Sequence, residues 1–361
     1  MSLIRSLAAL LLLLLVVPPL VHADDDLWDW LDDAGKSISG EEKNKHSDHE
    51  QEASLLTLEP GESEMYAKVS PDSKYLLTVS GKHGKQLVSL RSLENGDPVG
   101  VVSDYDQQLL DSMAWHGKDQ VTFLSYRTDN LGLWQKPVTG GMIRRLYRRL
   151  DGELKTPLIL DDGSIIAVRL NRESSLQTTK RHELTQALFN NWQTRGYDSS
   201  IVLISEQGAE RALAPGANPS LSPDGTRLVF SMQDNHQWHL FMMNSDGSDL
   251  VQLTEGKHID VQPTWSPDGR WIAFTSNRGS TVEGHISKEN WDIWMIGRDG
   301  RDLMRLTVDK ARDGAPTIAN NGRIYFHSDR KVDREESKVH QVRSGTAGFH
   351  IWVIELPAKV S

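Results

Sequence analysis

Four arginines recur at one place in a repeating pattern. Arg127, Arg172, Arg278 and Arg330 each lie eight or nine residues beyond a turn-forming position, at 119, 163, 269 and 322. A guanidinium presents a planar fork of donors that fits a carboxylate or phosphate through two parallel hydrogen bonds. Several such forks around one opening make a clamp for an acidic ligand. The same fork suits an internal ion pair, and Asp129 and Asp329 stand near enough in sequence to supply one. Trp28 and Trp30 are a second candidate, since they sit as large apolar anchors in an acidic stretch of the kind that orders on a partner. The competing expectation for them is a short helix, Leu27 to Leu31, docked on the protein's own surface.

Residue types exclude much other chemistry. The 361 residues contain no cysteine, which removes disulfides, thiolate catalysis, cysteine-based zinc sites and a lipid-modified cysteine anchor. No nucleophile elbow, paired-histidine zinc helix, phosphate loop, dinucleotide fingerprint or EF-hand is present, and His182-Glu183 lacks its partner histidine. His285, His327 and His350 make a site only if they converge. Fifty acidic against 40 basic side chains give a net charge of −10, the wrong sign for a nucleic-acid binder.

The N-terminal region reads as an address followed by a tether. Arg5, the apolar run Leu7 to Val17, Pro18-Pro19 and Val21-His22-Ala23 have the layout of a signal peptide over residues 1–23, which predicts an exported, periplasmic or secreted product. Residues 24–52 carry eleven carboxylates against three lysines, a composition expected to leave most of the segment disordered.

The rest is a repeat. Pro219-Ser220-Leu221-Ser222-Pro223-Asp224-Gly225 followed by Leu228-Val229-Phe230-Ser231 is matched by Pro263-Thr264-Trp265-Ser266-Pro267-Asp268-Gly269 followed by Trp271-Ile272-Ala273-Phe274. Weaker copies place the turns at 73, 119, 163, 225, 269 and 322. Pro-Asp-Gly favours a tight turn, and the flanking β-branched and aromatic runs are strands. A third strand follows in every copy and a second Gly-containing turn in the first five, giving four antiparallel strands per ~45 residues, the unit of a propeller blade. The expectation is an all-β, six-bladed β-propeller over residues 53–357. The sixth copy lacks a fourth strand, and Leu55-Leu56-Thr57-Leu58 resembles Leu253-Thr254 and Leu306-Thr307, so an N-terminal strand is expected to close the ring, leaving a short C-terminal tail at 358–361. Phe241, Trp294, Trp352 and Trp134 occupy matching third-strand positions and read as core between blades, while Arg144, Arg145, Arg148 and Arg149 read as a solvated edge.

In such a blade the connections between strands two and three share one face. The three long excursions, 173–199, 279–290 and 331–348, all fall there, and loops gathered on one face of a rigid scaffold commonly carry function. Leu184, Leu188 and Trp192 have helical spacing, which predicts a small helical insertion in blade three, either a lid or a helix packed on blades three and four.

From Leu55 to Leu356 these residues resemble the TolB-like, Pro-Asp-type β-propeller repeat family. The resemblance implies a binding scaffold. The periplasmic TolB adaptor carries an α/β domain ahead of its propeller, and prolyl-oligopeptidase-like enzymes place a hydrolase domain beside theirs; only the acidic tail is expected with this one. Oligogalacturonate lyases resemble the same repeat and use histidines with a metal. The leading expectation is therefore an exported, monomeric, non-enzymatic propeller without cofactor or metal, with no transmembrane segment after cleavage. It binds a protein or envelope polymer through Arg127, Arg172, Arg278 and Arg330 on the loop-bearing face, with Trp28 and Trp30 taking a second partner. The alternatives are a metal-dependent polysaccharide lyase or hydrolase using channel histidines, and a sensor or scaffold in which the propeller is a rigid spacer.

Overall fold

The computed structural model describes residues 47–48, 50–57, 63–82, 85–103, 113–125, 131–146, 150, 152–172, 189–192, 197–279, 281–282, 285–286, 290–332, 348–357 and 360. They form six four-stranded antiparallel sheets, the blades of a propeller. Blade one begins at Ser63–Val69, blade two at Met113–His116, blade three at Glu153–Ile159, blade four at Ala217–Leu221, blade five at Asp260–Trp265 and blade six at Asp313–Ile318. Each of these is the innermost strand; in blades one to five three further blade strands follow outward in chain order, and in blade six two do, the outermost place being taken by an N-terminal strand. There is no helix among the described residues. The helix expected over Leu184 to Trp192 lies mostly outside them, and its described end, 189–192, consists of turns.

The repeated turn is held by its own side chains. In blade four Ser222 Oγ donates to Asp224 Oδ1 (2.6 Å), Asp224 Oδ1 accepts from the Thr226 amide (3.0 Å), and Ser222 Oγ accepts from the Arg227 amide (2.9 Å). Blade five repeats the set with Ser266, Asp268, Arg270 and Trp271. Blade one repeats it with Ser70, Asp72, Lys74 and Tyr75, although Ser73 stands where the others have glycine and takes the left-handed conformation, φ 55°. The Ser–x–Asp pair therefore defines the turn, and glycine relieves the one left-handed position.

The innermost strand is a sheet edge facing the axis, and proline belongs there because it leaves no amide unpaired. Directly before Pro157, Pro219, Pro263 and Pro316 the ladder slips by a bulge, and the bulged residues Thr156, Asn218, Gln262 and Ala315 have φ between 47° and 55°. Tyr66 takes the same place and conformation in blade one. Blades lock to one another at this radius: Trp115 Nε1 of blade two donates to Lys68 O of blade one (2.8 Å), and Trp265 Nε1 of blade five donates to Ser220 O of blade four (3.1 Å). Trp294, Trp352 and Phe241 are buried between blades, as their third-strand register predicts.

The ring closes through the N-terminal segment. Ser54–Leu55 pairs antiparallel with the third strand of blade six, opposite Val353 and Trp352. The Leu-Thr signature has a physical basis. Thr254 and Thr307, just beyond the fourth strands of blades four and five, each accept through Oγ1 the amide of a third-strand residue, Leu240 and Ile293 (2.9 Å). Thr57 does the same for Ile351 (3.3 Å). Upstream, Ser47–Asp48 adds in parallel to Met304–Arg305 as a fifth strand on blade five, and Gln51 N donates to Leu306 O (3.0 Å). The last residues of the acidic stretch thus run along blade five before closing blade six.

A chain starting at Gly61 loses blade six's outer strand and the Thr57 bond. Its melting temperature, followed by circular dichroism, is expected to fall by about 5–15 °C; an unchanged curve would mean that closure contributes nothing.

Candidate functional site

The connections between strands two and three and the crossings from one blade to the next lie on one face, opposite the tight Pro-Asp turns. Two of the sequence-identified arginines rise there at the end of a second strand, and each grips a carboxylate at the start of its own blade's innermost strand. Arg278 Nε donates to Asp260 Oδ1 (3.0 Å), Arg278 Nη2 bonds the other oxygen, and Ser276 Oγ also donates to Oδ1 (2.6 Å). Arg330 repeats this on Asp313, with Nε to Oδ1 at 3.1 Å and Nη2 to Oδ2 at 2.5 Å, and reaches Asp309 at 3.5 Å. Aromatic rings back both guanidiniums: Phe274 and Trp294 behind Arg278, Phe326 and Trp352 behind Arg330. Their partners are therefore Asp260 and Asp313 of the same blades. Arg172 ends the second strand of blade three, opposite Tyr197. Arg127, Trp28 and Trp30 lie outside the described residues.

Around these pairs the face is densely ionised. Asp260 is fully buried, which raises its pKa, but Arg278 and the nearby imidazoles of His239 and His258, 3.9 and 3.6 Å from Oδ2, overcome this and hold the carboxyl well below the usual range. Burial, opposed by Asp260, pulls His258 down to about 4. Asp292 accepts from Arg305 Nη2 at 2.6 Å and from the Asp309 amide at 3.3 Å. Its burial outweighs Arg305 and is reinforced by Asp313, pushing the Asp292 pKa up to about 7.

The axis beside this network is filled. Phe189 and Trp192, from the long excursion of blade three, are buried against residues of blades one, five and six. Phe189 stacks on Phe349 (centroids 5.7 Å, 17° between planes) and meets Trp291 and His327 edge-on. Trp192 lies against Trp291 at 5.2 Å. The Arg312 guanidinium, tied to Asp329, covers Phe349 at 4.8 Å and Phe189 at 5.6 Å. Two bulged carboxamides hold the same segment: Gln262 Nε2 donates to Phe189 O (3.1 Å) and to Asn191 Oδ1 (3.0 Å), and Asn218 Nδ2 donates to Asn191 Oδ1 (3.0 Å). Sequence periodicity places Trp192 in a stripe with Leu184 and Leu188, which lie outside the described residues; its described ring contacts are with Phe189 and with Trp291, about a hundred residues on.

His327 and His350 do not converge. His327 pairs across the ladder with Ile351, and His350 with Ser328, so the two imidazoles point to opposite faces of blade six. His327 Nδ1 accepts from the Tyr66 amide (3.2 Å), and burial pulls its pKa down to about 3. His285 sits in a short hairpin opposite Val282. Among the described residues no group of three or more histidines and carboxylates is placed to hold a metal ion.

Two expectations follow. Arg278→Ala strands a buried carboxylate and is expected to cost about 3–5 kcal/mol in urea unfolding. Adding Asp260→Asn recovers part of that loss, whereas an arginine facing solvent would cost under about 1 kcal/mol. For Asp292 the folded pKa is raised, so the fold binds a proton that the unfolded chain releases near 3.8; this contribution is full at low pH and lost as pH rises toward 7. Relative to the native chain, Asp292→Asn is thus expected to gain about 2 kcal/mol of unfolding free energy between pH 5 and pH 8.

Comparison with known proteins agrees with this architecture. The family model of the TolB beta propeller domain matches residues 199–285, from blade three into blade five. The Tol-Pal system protein TolB of Francisella tularensis is 27% identical over 136 residues, 38% of this chain and 28% of that one. Dipeptidyl-peptidase 5 of Porphyromonas endodontalis is 37% identical over 93 residues, 24% of this chain and 13% of that one. The chain spans less than half the length of the curated relatives it matches. Oligogalacturonate lyase from Vibrio parahaemolyticus superposes with a TM-score of 0.50 at 14% identity, covering 88% of this chain and 96% of that one, a likeness of fold alone. The repeat, the ring of six blades and these matches together make this chain the bearer of a TolB-like six-bladed β-propeller.

Proposed function

We propose that this is an exported, periplasmic, non-enzymatic propeller that binds a protein or envelope polymer on the face carrying the long connections. One observation carries the reading: the axis on that face is filled by the protein's own Phe189 and Trp192, with His327 behind them, so the face offers a contoured surface and not an open reaction chamber. A lyase working through channel histidines needs at least His327 within reach of a polymer, and His327 is fully buried with Phe189, Phe349 and Tyr66 around it. The TolB relative, named for the Tol-Pal system, supports a binding role in the envelope. Among the described residues no helix is long and apolar enough to cross a membrane. The sequence-identified arginines contribute by shape: Arg278 and Arg330, fixed on Asp260 and Asp313, brace the rim from which the long connections leave. Arg127 and Arg172 occupy the matching repeat position in blades two and three. Trp28 and Trp30, on the acidic segment that leads to blade five, are the proposed second contact.

Exposed positions on the two faces give a direct test. A photo-crosslinking amino acid at Lys257 or Lys331, on the loop-bearing face, is expected to trap a partner in intact cells. The same group at Asp224 or Asp246, in the tight turns, is expected to trap none. Equal trapping from both faces, or none from either, would end this reading.

A further inference from the structure

The segment Phe189–Trp192 sits in a slot that the framework builds without it. Gln262 is oriented from behind: its Oε1 accepts from Thr275 Oγ1 (2.9 Å) and from the Ala315 amide (2.9 Å), which leaves its NH2 aimed at the axis. Gln262 and Asn218 both hold left-handed backbone, φ 55° and 52°, on non-glycine residues, a conformation that costs of order 1–3 kcal/mol and aims their carboxamides inward. Gly314 leaves the wall open for a ring. A Cβ there would lie 2.6 Å from Phe189 Cε2 and 3.0 Å from His327 Nε2. Two buried polar atoms in the slot, Asn218 Oδ1 and His327 Nε2, have no hydrogen-bond partner among the described residues.

These features describe a receptor. One amide donor pair takes a main-chain carbonyl and a side-chain carboxamide, an aromatic cleft between Phe349 and Trp291 takes a flat ring, and an acceptor and a ring nitrogen remain unused. We propose that Phe189–Trp192 occupies in cis a binding site for an extended peptide that carries a carboxamide beside aromatic side chains, and that a partner segment enters by displacing it. This rests on the loop-bearing face being the binding face. The energetic logic is competition: the tethered segment lowers the apparent affinity of any external peptide by the fraction of time the slot is closed.

The probe is a fluorescein-labelled peptide with the sequence of residues 187–194, added to the full-length chain. Phe189→Ala/Trp192→Ala, which strips the rings from the tethered copy, is expected to bind this peptide at least tenfold more tightly than the native chain, by fluorescence anisotropy. Adding Gln262→Ala removes that gain. Gly314→Ala crowds Phe189 from the opposite wall with the tethered sequence intact, and is expected to weaken the tethered copy's hold, so that limited proteolysis cuts more readily near Phe189 than in the native chain. If the double variant melts cooperatively and binds the peptide no better than the native chain, the proposal is wrong. If both variants fail to fold, the segment is core and the proposal is equally wrong. Failure here with crosslinking confined to the loop-bearing face removes only the displaceable segment, whereas peptide binding without such crosslinking removes only the envelope partner.

Discussion

Each blade brings one strand edge to a common axis, and an edge in a crowded interior cannot leave its amides and carbonyls unanswered. In blades three to six the protein meets this constraint at one position of the innermost strand. Proline removes a donor in blades three to six, and the bulge before it turns the chain so that the preceding side chain faces inward. The consequences spread from there. The inward side chains of Asn218 and Gln262 become the donors that hold Asn191, while the foot of the same strand in blades five and six carries the carboxylate that anchors an arginine.

The arginine pairs illustrate how charge serves architecture here. Asp260 and Asp313 are wholly buried, and removing such ions from water is expensive unless geometry and hydrogen bonds compensate. Two forked bonds, a serine hydroxyl on Asp260 and aromatic faces behind the guanidinium supply that compensation. The pairs join the start of a blade's first strand to the end of its second on the very face from which the long loops depart, so the loops leave from a stiff rim.

Much of this was legible in the chain. The Ser–x–Asp turn announces itself because its bonds are local, all within five residues, and the closing strand was readable from Leu-Thr because threonine does the same work in blades four, five and six. The arginine partners were misplaced in sequence reasoning, which looked to nearby Asp129 and Asp329. A signal was available: Asp260 and Asp313 each stand three residues before the strand-one proline, in the two blades where Arg278 and Arg330 are paired. The segment at 189–192 was not readable, since its meaning lies in Asn218, Gln262, Trp291, Arg312, His327 and Phe349. Apolar spacing along the chain carries no record of contacts made across other blades.

The closing strand has a kinetic consequence. Ser54 faces Val353 across the ladder, so the first part of the domain to be synthesised is among the last to find its place. Contacts of such separation slow folding, because the chain must forgo much of its freedom before they repay it. Until the C-terminal residues arrive, blade six presents a raw outer edge and blades one and six are unjoined. The ring therefore cannot shut before both ends of the domain are present.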